Sequence, residues 1–346
     1  MLRPTLRTLR TLKTLTTTTT TRLHSTATTS VSPDELNHFS SLASSWWDPQ
    51  GPSRVLHLMN PVRHDFIASC LAESTPITTT PSSPTDANKR NTLRYLDIGC
   101  GGGIFAESLA RTIPNTSTST TSTSTDPASH PPTRTRAASI TALDPSPTLI
   151  KIARDHARLD PSVNAHLQTG RFKYVNSTLE EYIPTLATAS PSKDTFDVVT
   201  LFEVIEHIDN VPGSITPQGF LASCLSMVKP GGWLIGSTIA RTFPSWIVNQ
   251  VIAEAPWPVG VVPRGTHEWS KFVNPGELQA WVQEGLMRGV DGGAVRGGGE
   301  ALEGTSWRCE GVVYFPGLGW KIVKGSESWG NYFWAVRKGF GSSGAV

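Results

Sequence analysis

The order of apolar segments predicts an α/β fold with a mainly parallel β-sheet. Short apolar runs alternate with stretches of helical periodicity, and a glycine-rich turn directly follows the first of these runs. Consecutive parallel strands require crossover connections, which helices supply, so this alternation predicts a sheet with helices on both faces. The chain has 346 residues and 38% hydrophobic composition, which is enough material for a buried core.

The expected elements follow one another in a regular order. The helices are predicted at residues 104–111, 147–158 and 219–228. Residues 31–73 precede the first strand and are expected to form helices over the edge of the sheet where a ligand would bind. The last two strands, which a Gly/Pro-rich link separates, are expected to pair antiparallel and close one edge. The predicted strands are residues 93–98, 139–143, 171–175, 196–202, 233–239, 311–315 and 331–337.

The N-terminal segment has the composition of a targeting sequence. Residues 1–33 carry five basic side chains and no acidic one, with leucines at helical spacing among the arginines and a long Thr/Ser-rich run. This composition is typical of a mitochondrial transit peptide, and a disordered tail that is never removed would have the same pattern. We therefore assign residues 1–33 to a leader and residues 34–340 to one folded domain.

Three low-complexity segments interrupt this domain, near residues 74–91, 113–136 and 288–304. They are rich in Ser, Thr, Pro or Gly, which favours loops over packed structure. We expect them to be solvated and to carry no catalytic residues.

Charge and cysteine content narrow the possible functions. From Asp34 onward the chain has 25 basic and 28 acidic residues, so we expect no nucleic-acid partner. No apolar stretch reaches the roughly 18 residues of a membrane span, so any membrane contact is expected from one side. Neither a disulfide scaffold nor a structural zinc site is indicated, because no Cys-x-x-Cys pair occurs among Cys70, Cys100, Cys224 and Cys309.

A nucleotide-type ligand site is predicted at the end of the first strand, which runs into the sequence DIGCGGG (97–103). Glycines permit a tight turn and let backbone N–H groups approach a ligand at a helix N-terminus. A dinucleotide-binding fingerprint counted from Gly99 would need a glycine at position 104, which is Ile104, so a nicotinamide-dependent dehydrogenase is disfavoured. Taken alone, the glycines are also compatible with a flexible turn.

An acidic residue stands at the corresponding end of the second strand. Asp144 is placed to accept hydrogen bonds from the two hydroxyls of a ribose, in the crevice at the carboxyl ends of the strands. Its alternative role is to cap the helix that begins near Pro147. The glycine loop and the acid together favour the ligand site.

Four motifs resemble the class I S-adenosylmethionine-dependent methyltransferases, whose fold is a Rossmann-like seven-stranded sheet. They are LDIGCGGG (96–103), ALD (142–144), FDVVTLFEVIEHI (196–208) and VKPGGWLIGST (228–238). Two more motifs, WWDPQGPSRVLHLMNPVR (46–63) and PRGTHEWSKFVNP (263–275), are similar to the ubiquinone-biosynthesis O-methyltransferases of the UbiG type and their mitochondrial counterparts. The resemblance covers most of residues 36–340 apart from the inserts.

This resemblance implies an activity, a cofactor and a location. Members of the family methylate phenolic oxygens of polyprenylated dihydroxybenzoate and demethylubiquinol intermediates, with S-adenosylmethionine as the methyl donor. Matching the motifs implies cofactor contacts at Arg63, Gly99, Asp144 and Phe202. It also implies peripheral attachment to the matrix side of the mitochondrial inner membrane, in a complex with other ubiquinone-biosynthesis proteins.

Methylation of a phenol requires a means of ionising its oxygen. A phenol has a pKa near 10 on the tyrosine reference, so the site should contain a base, a metal ion or both. Glu203, Glu206 and His207 follow the fourth strand, and on a helix they would lie within an arc of roughly 100°. Such a set suits Mg²⁺, which would also lower the pKa of the oxygens of a catechol.

Other roles for this cluster stay open. His207 is also a candidate catalytic base that works without a metal, and all three side chains could be structural. His267 of the GTHEW sequence is a secondary candidate base, and a packing or surface histidine is the alternative.

Three residues before the first strand also have two interpretations each. The family position of Arg63 implies that it binds the methionyl carboxylate with two hydrogen bonds, and the alternative is a surface ion pair. Trp46 and Trp47 either cover the acceptor ring or anchor the N-terminal segment in the core.

Residues 243–263 form an apolar segment in which Glu254 is the one charged residue. We expect an interfacial helix and loop that dips into the bilayer and gives an isoprenoid tail a route to the site. The alternative is a lid that packs over the substrate.

Two other functions are compatible with these observations. The chain could methylate another small phenol, because this fold serves many acceptors. It could also be a non-catalytic, cofactor-binding scaffold of the biosynthetic complex, but the presence of Glu203, Glu206 and His207 favours an enzyme.

Overall fold

A computed structural model describes residues 29–73, 92–114, 133–187, 195–209, 213–254, 268–288 and 302–340. Most of the predicted leader and of the three predicted inserts lies outside these described residues. The same is true of His267 and of the second half of the apolar segment 243–263.

The described strands form one mixed sheet in the order β3-β2-β1-β4-β5-β8-β6-β7. Strands β1 to β5 are parallel, and β8 pairs antiparallel with both β5 and β6. This confirms the α/β class and the antiparallel pairing of the late strands. The strands are β1 Leu93–Ile98, β2 Ala137–Asp144, β3 Phe172–Asn176, β4 Phe196–Phe202, β5 Val228–Ile239, β6 Ser306–Phe315, β7 Gly319–Val323 and β8 Asn331–Arg337.

The sheet has one strand more than the seven that were expected. The Gly/Pro-rich link contains β7, which pairs antiparallel with β6 and forms the outer edge. An edge strand is paired on one side only, and the residues of β7 are partly or fully exposed. It therefore lacks the apolar pattern that identified the other strands.

The helices are bounded by proline and by capping side chains. Proline occupies the first helical position of α1, α4, α5 and α7, where its missing N–H costs nothing. Side chains of Ser146, Asp160 and Thr216 cap the last three of these. The described helices are α1 Pro33–Leu42, α2 Arg54–Glu73, α3 Ile104–Ala110, α4 Pro147–Ala157, α5 Pro161–Gln168, α6 Leu179–Ala187, α7 Pro217–Ser226, α8 Phe243–Trp246 and α9 Pro275–Arg288.

The core consists of two hydrophobic layers, one on each face of the sheet. In β1 the side chain of Tyr95 belongs to one layer and that of Leu96 to the other, as the alternation of a strand requires. Helices α2 and α3 contribute Phe66 and Leu109 to the first layer, and α7 contributes Leu221 to the second. Burial on both faces explains why the central strands are predominantly apolar.

This topology places the ligand edge of the sheet. The strand order reverses between β1 and β4, so the crevice at the carboxyl ends of these strands is a binding position. Helices α1 and α2 lie over it, which confirms the helical cover expected from residues 31–73. No helix within the described ranges is both long and apolar enough to cross a membrane.

Candidate active site

A cavity of about 550 Å³ opens at the carboxyl ends of β1, β2 and β4. Its walls come from the turn after β1, the end of β2, the segment after β4 and the N-terminal helices. It contains all five residues expected to bind cofactor or act as the base: Arg63, Gly99, Asp144, Phe202 and His207. The topology therefore brings together residues that are far apart in sequence, since 144 positions separate Arg63 from His207.

The glycine loop after β1 requires glycine for two reasons. Gly99 and Gly101 have φ values of +70° and +54°, a backbone region that other residues avoid. A Cβ atom on Gly99 would lie 2.6 Å from a methyl of Val204. The turn is closed by a hydrogen bond of 2.9 Å from the Gly103 N–H to the Cys100 carbonyl. The glycine loop is thus a defined turn, and it places backbone atoms at the wall of the cavity.

Asp144 connects this loop to the end of β2. Its Oδ2 accepts a hydrogen bond from the Gly101 N–H at 2.8 Å, and its Oδ1 accepts one from the Ser146 N–H at 2.9 Å. Burial raises the pKa of Asp144 to about 6, although these two hydrogen bonds oppose the shift. The N-cap of α4 is Ser146, so the capping role considered for Asp144 is wrong. Each carboxylate oxygen keeps a lone pair for a ribose hydroxyl.

Arg63 of α2 is 3% exposed, so the surface ion pair considered for it is wrong. Its Nη1 donates to the Asn60 side chain at 3.2 Å, and its guanidinium lies 5.0 Å from the ring centroid of Phe202. Burial lowers the pKa of Arg63 to about 10, against the opposing charges of Glu203 and Asp97. Its Nε is buried and has no partner among the described residues. A buried cation with an unused donor at a cavity wall fits an anionic ligand group.

Asp97 is a site residue that the sequence reasoning missed. It pairs with Thr200 across β1 and β4, and its Oδ1 accepts a 2.7 Å hydrogen bond from the Thr200 hydroxyl. Burial raises the pKa of Asp97 to about 7, and its Oδ2 has no partner in the described part of the chain. The signal was present, since an acidic residue interrupts an apolar strand just before the glycines.

Phe202 ends β4 and forms a side wall of the cavity. It is 8% exposed, and its ring makes edge contacts with Phe105 at 4.7 Å and Phe333 at 6.1 Å between centroids. Phe202 and Phe105 both lie near Arg63, so the guanidinium is held between aromatic rings and the cavity.

The segment after β4 is not the helix that was expected for Glu203, Glu206 and His207. Glu203 has a φ of +56°, and only Ile205–His207 form a short 3₁₀ turn. The expectation that these three side chains lie on one face of a helix is therefore wrong. A positive φ at a glutamate is strained, and such strain is concentrated at functional sites.

The two glutamates are held by protein donors. Glu203 accepts hydrogen bonds from the Ser237 hydroxyl at 2.5 Å and from the Asn331 amide at 3.3 Å. Glu206 is 3% exposed and accepts one from the Thr238 hydroxyl at 2.8 Å. Burial and the nearby charge of Glu203 raise the pKa of Glu206 above its usual range.

His207 lies between the cavity and helix α1. Its Nδ1 is 3.1 Å from Oε2 of Glu35, and its ring meets the ring of Phe39 edge-on at 4.8 Å between centroids. Burial opposes the charged imidazole, but the hydrogen bond to Glu35 and the charges of Glu206, Glu35 and Glu203 raise the pKa of His207 overall. Its surroundings therefore favour the protonated imidazole.

No three His, Cys, Asp or Glu side chains of the described ranges converge on a position where they would hold a metal ion. Glu203, Glu206 and His207 line one cavity, but their polar atoms are directed to different protein partners. The donor types suit Mg²⁺, whereas their present arrangement does not form a ligand set.

Trp46 and Trp47 pack on the glycine loop. A Cβ on Gly102 would lie 2.3 Å from the ring of Trp46, and one on Gly101 would lie 2.7 Å from it. Trp47 donates from Nε1 to the Gly102 carbonyl at 2.9 Å and stacks on His156 at 3.4 Å. These contacts favour the anchoring role for both tryptophans. They also give Gly101 a second reason, and Gly102 its own reason, to lack a side chain.

The described part of the apolar segment lies at the mouth of the cavity. Helix α8 continues into a π-helix, Ile247–Ile252, and Val248 and Ile252 line the cavity. Three other apolar side chains of the segment are exposed: Phe243 to 69%, Trp246 to 40% and Val251 to 48%. A site entrance surrounded by exposed apolar residues fits a ligand with a hydrophobic part.

A family model and individual known proteins that match this chain agree with one another. A family model described as a methyltransferase domain matches residues 80–285. The ubiquinone biosynthesis O-methyltransferase, mitochondrial, of Schizosaccharomyces pombe is 37% identical over 74% of this chain and 72% of its own length. The protein of that name from Candida albicans is 30% identical over 90% and 86% of the two chains. The ubiquinone biosynthesis O-methyltransferase of Methylobacterium nodulans is 31% identical over 91% and 99%.

Proposed function

The chain belongs to the ubiquinone biosynthesis O-methyltransferase family, and we propose on this premise that it methylates polyprenylated dihydroxybenzoate and demethylubiquinol intermediates. It is a methyltransferase that uses S-adenosylmethionine, and its acceptor atom is an oxygen. Family membership supports the reaction, and the apolar cavity mouth supports the polyprenyl class of acceptor.

The observation that carries the proposal is the pair of unused polar groups at one end of the cavity. Arg63 offers a buried donor and Asp97 a buried acceptor, and each has the charge to match one end of an amino acid zwitterion. Arg63 would bind the methionyl carboxylate and Asp97 the ammonium group. Asp144 would accept from the ribose hydroxyls, and the glycine loop would lie along the donor between the two.

The bound donor supplies a methyl group on a positively charged sulfur. Transfer is an in-line displacement in which an O–C bond forms as the C–S bond breaks, leaving S-adenosylhomocysteine. A cavity that holds both reactants supplies much of the rate gain through orientation. His207 accepts the phenolic proton, and its neighbouring carboxylates stabilise the resulting imidazolium.

As the alternative to this base, we propose that Glu203, Glu206 and His207 bind Mg²⁺, as the donor chemistry of these residues suggests; His207 would then be a metal ligand and not the base. The hydrogen bonds to Ser237 and Thr238 would have to be replaced for this, so no step of the transfer is assigned to the ion. Titration calorimetry should detect Mg²⁺ binding to wild type and weaker binding to Glu206→Ala. Equal affinity for both proteins would eliminate this site.

The proposed location is the matrix side of the mitochondrial inner membrane, where the protein would join other ubiquinone-biosynthesis proteins after removal of a transit peptide. Relatives with mitochondrial in their names and the basic, acid-free leader support this proposal. The exposed apolar face of residues 243–252 supports a contact with lipid.

Flotation with liposomes tests the lipid contact. The mature protein should float, and the double substitution Trp246→Asp plus Trp257→Asp should release it. Unchanged flotation of the double variant would return the segment to the alternative of a lid over the substrate.

A mass-spectrometric assay with labelled methyl donor tests the reaction. Purified protein should label two prenylated phenols, one of each proposed type, and shortening the prenyl chain should reduce turnover. Equal turnover of a phenol without a tail would favour the small-phenol function. Cofactor binding without any transfer would favour the scaffold function. Arms with EDTA, with and without added Mg²⁺, report on the metal.

A further inference from the structure

A second, polar cavity of about 340 Å³ adjoins His207. Four residues line both this cavity and the larger one: Ser32, Glu35, Glu206 and His207. The other wall belongs to helix α1 and to the segment before α9. Residues of this polar cavity used below are Asp34, Glu35, Asp209 and Lys271.

Glu35 is the group of this cavity that touches His207. Its Oε2 lies 3.1 Å from Nδ1 of the imidazole, and its Oε1 accepts from the Lys271 ammonium at 3.0 Å. Lys271 is itself held by Asp209 at 2.7 Å. Both oxygens of Glu35 are thus committed, so the carboxylate is fixed in place although it comes from a helix 172 residues away in sequence.

This contact determines which ring nitrogen can react. A carboxylate that accepts a hydrogen bond from Nδ1–H selects the tautomer in which Nε2 carries the lone pair. No hydrogen bond to Nε2 is present among the described residues. The edge contact of Phe39, one turn after Glu35 on α1, fixes the plane of the ring as well. Helix α1 therefore controls both the tautomer and the orientation of His207.

We propose that Glu35 is a positioning residue for methyl transfer, which holds His207 with Nε2 available to the phenolic hydroxyl of the acceptor. This inference rests on the proposed role of His207 as the base. When the proton moves to Nε2, both nitrogens carry hydrogen, and the Glu35 carboxylate faces the imidazolium at Nδ1. Both of its oxygens are engaged by His207 and Lys271, so it acts on the reaction through His207.

The variants Glu35→Ala and Glu35→Gln test the proposal, with Asp34→Asn as the matched control. Asp34 is the neighbouring acid in the same first turn of α1, so its substitution removes the same charge from the same helix end. At saturating donor and acceptor, Glu35→Ala should lower kcat by at least about tenfold, and Asp34→Asn should leave it unchanged. Glu35→Gln should lie between them, because an amide oxygen can still accept from Nδ1–H.

Two further measurements separate positioning from a general loss of structure. Because α1 also covers the donor cavity, undocking of the helix would weaken donor binding, so the Kd for S-adenosylmethionine of Glu35→Ala should stay within about twofold of wild type. In ¹⁵N NMR spectra, His207 should show a protonated Nδ1 and an unprotonated Nε2 in wild type at a pH where it is neutral. The Glu35→Ala spectrum should show a mixture of tautomers.

The outcomes are distinguishable. An unchanged kcat, an unchanged tautomer, or a loss of donor affinity parallel to the loss of kcat in Glu35→Ala would each overturn the positioning role. Wild-type protein that transfers no methyl group would instead overturn the proposed function, and the NMR comparison would still decide whether Glu35 sets the tautomer.

Discussion

The two ends of the cavity are built in different ways. The end proposed to hold the methyl donor (the donor end) combines residues at or beside strand ends, such as Asp97, Gly99 and Asp144, whose positions follow from the register of the sheet, with Arg63 of helix α2. The acceptor end is assembled from a strained turn after β4, helix α1 and the π-helix after α8. A site built this way can keep its donor chemistry while its acceptor side changes. Substitutions at the donor end should therefore change affinity for the donor, and those at the acceptor end should change kcat.

The substitution His207→Ala should have the largest effect and should act on kcat alone. Removal of a general base typically costs about 10²- to 10⁴-fold in rate, and we expect a loss in this range at saturating substrates. The Kd for S-adenosylmethionine, measured by calorimetry, should change less than about twofold. A parallel loss of donor affinity would show that the two ends are not separable.

The substitution Arg63→Met should have the complementary effect. Met retains much of the buried volume but leaves the methionyl carboxylate without its cation, so donor affinity should fall about 100-fold, or about 2.7 kcal/mol. The control Arg54→Met changes an exposed arginine of the same helix and should leave the Kd within about twofold of wild type. If Arg63→Met binds the donor normally and instead raises the KM for the phenol, Arg63 belongs to the acceptor end.

Donor affinity should also depend on pH through the carboxyls of the donor end. In the proposed binding mode, Asp97, with a pKa of about 7, contacts the ammonium group and Asp144, with a pKa of about 6, contacts the ribose hydroxyls, and each carboxyl binds best when ionised. Affinity should therefore be complete above both pKa values and should fall as the pH decreases through 7 and then 6. We expect about a tenfold weakening between pH 8 and pH 5.5 in calorimetric titrations.

The variant Asp97→Asn separates the contribution of Asp97 to this pH dependence from that of Asp144. It should bind the donor more weakly at pH 8 and should lose the part of the pH dependence near pH 7. Thr200→Val removes the hydrogen bond to Asp97 but leaves the carboxylate in place, so it should retain that part. A pH dependence that is the same in Asp97→Asn and wild type would assign the titration to another group.

This difference between the ends also explains what could be predicted from the sequence. Glycines that turn a strand into a helix and an acid at the next strand end are local patterns, so the sequence predicted that Gly99 and Asp144 lie at one edge of the sheet, and both line the cavity there. Their role in binding the donor stays a prediction. Arg63 was placed by its family motif, and only the structure shows that it is buried beside Phe202.

The acceptor end could not be predicted in this way, because its contacts join residues far apart in sequence. The spacing of the acids and the histidine from Glu203 to His207 suggested a helix. The positive φ of Glu203 does not allow a helix to begin there, and the chain forms a short turn instead. Glu35 carries no local signal at all, since an acid in the first turn of a helix normally just stabilises the helix dipole. Its contact with His207 depends on how α1 docks, which no periodicity in the sequence encodes.

The smallest predicted effect comes from the removal of a single hydrogen bond, and two tryptophans allow a matched comparison. Trp47 donates to the Gly102 carbonyl at 2.9 Å, and Trp320 of β7 donates to the Val55 carbonyl at 2.8 Å. Replacing either tryptophan with Phe removes a similar bond, so both variants should lose about 1 kcal/mol of unfolding free energy and about 2 °C in Tm. Only Trp47→Phe releases the glycine loop, so only this variant should weaken donor binding, by about threefold to fivefold. Equal donor affinity in the two variants, measured beside matched thermal shifts, would mean that the glycine loop is held by the sheet alone and that the N-terminal cover adds nothing to the donor end.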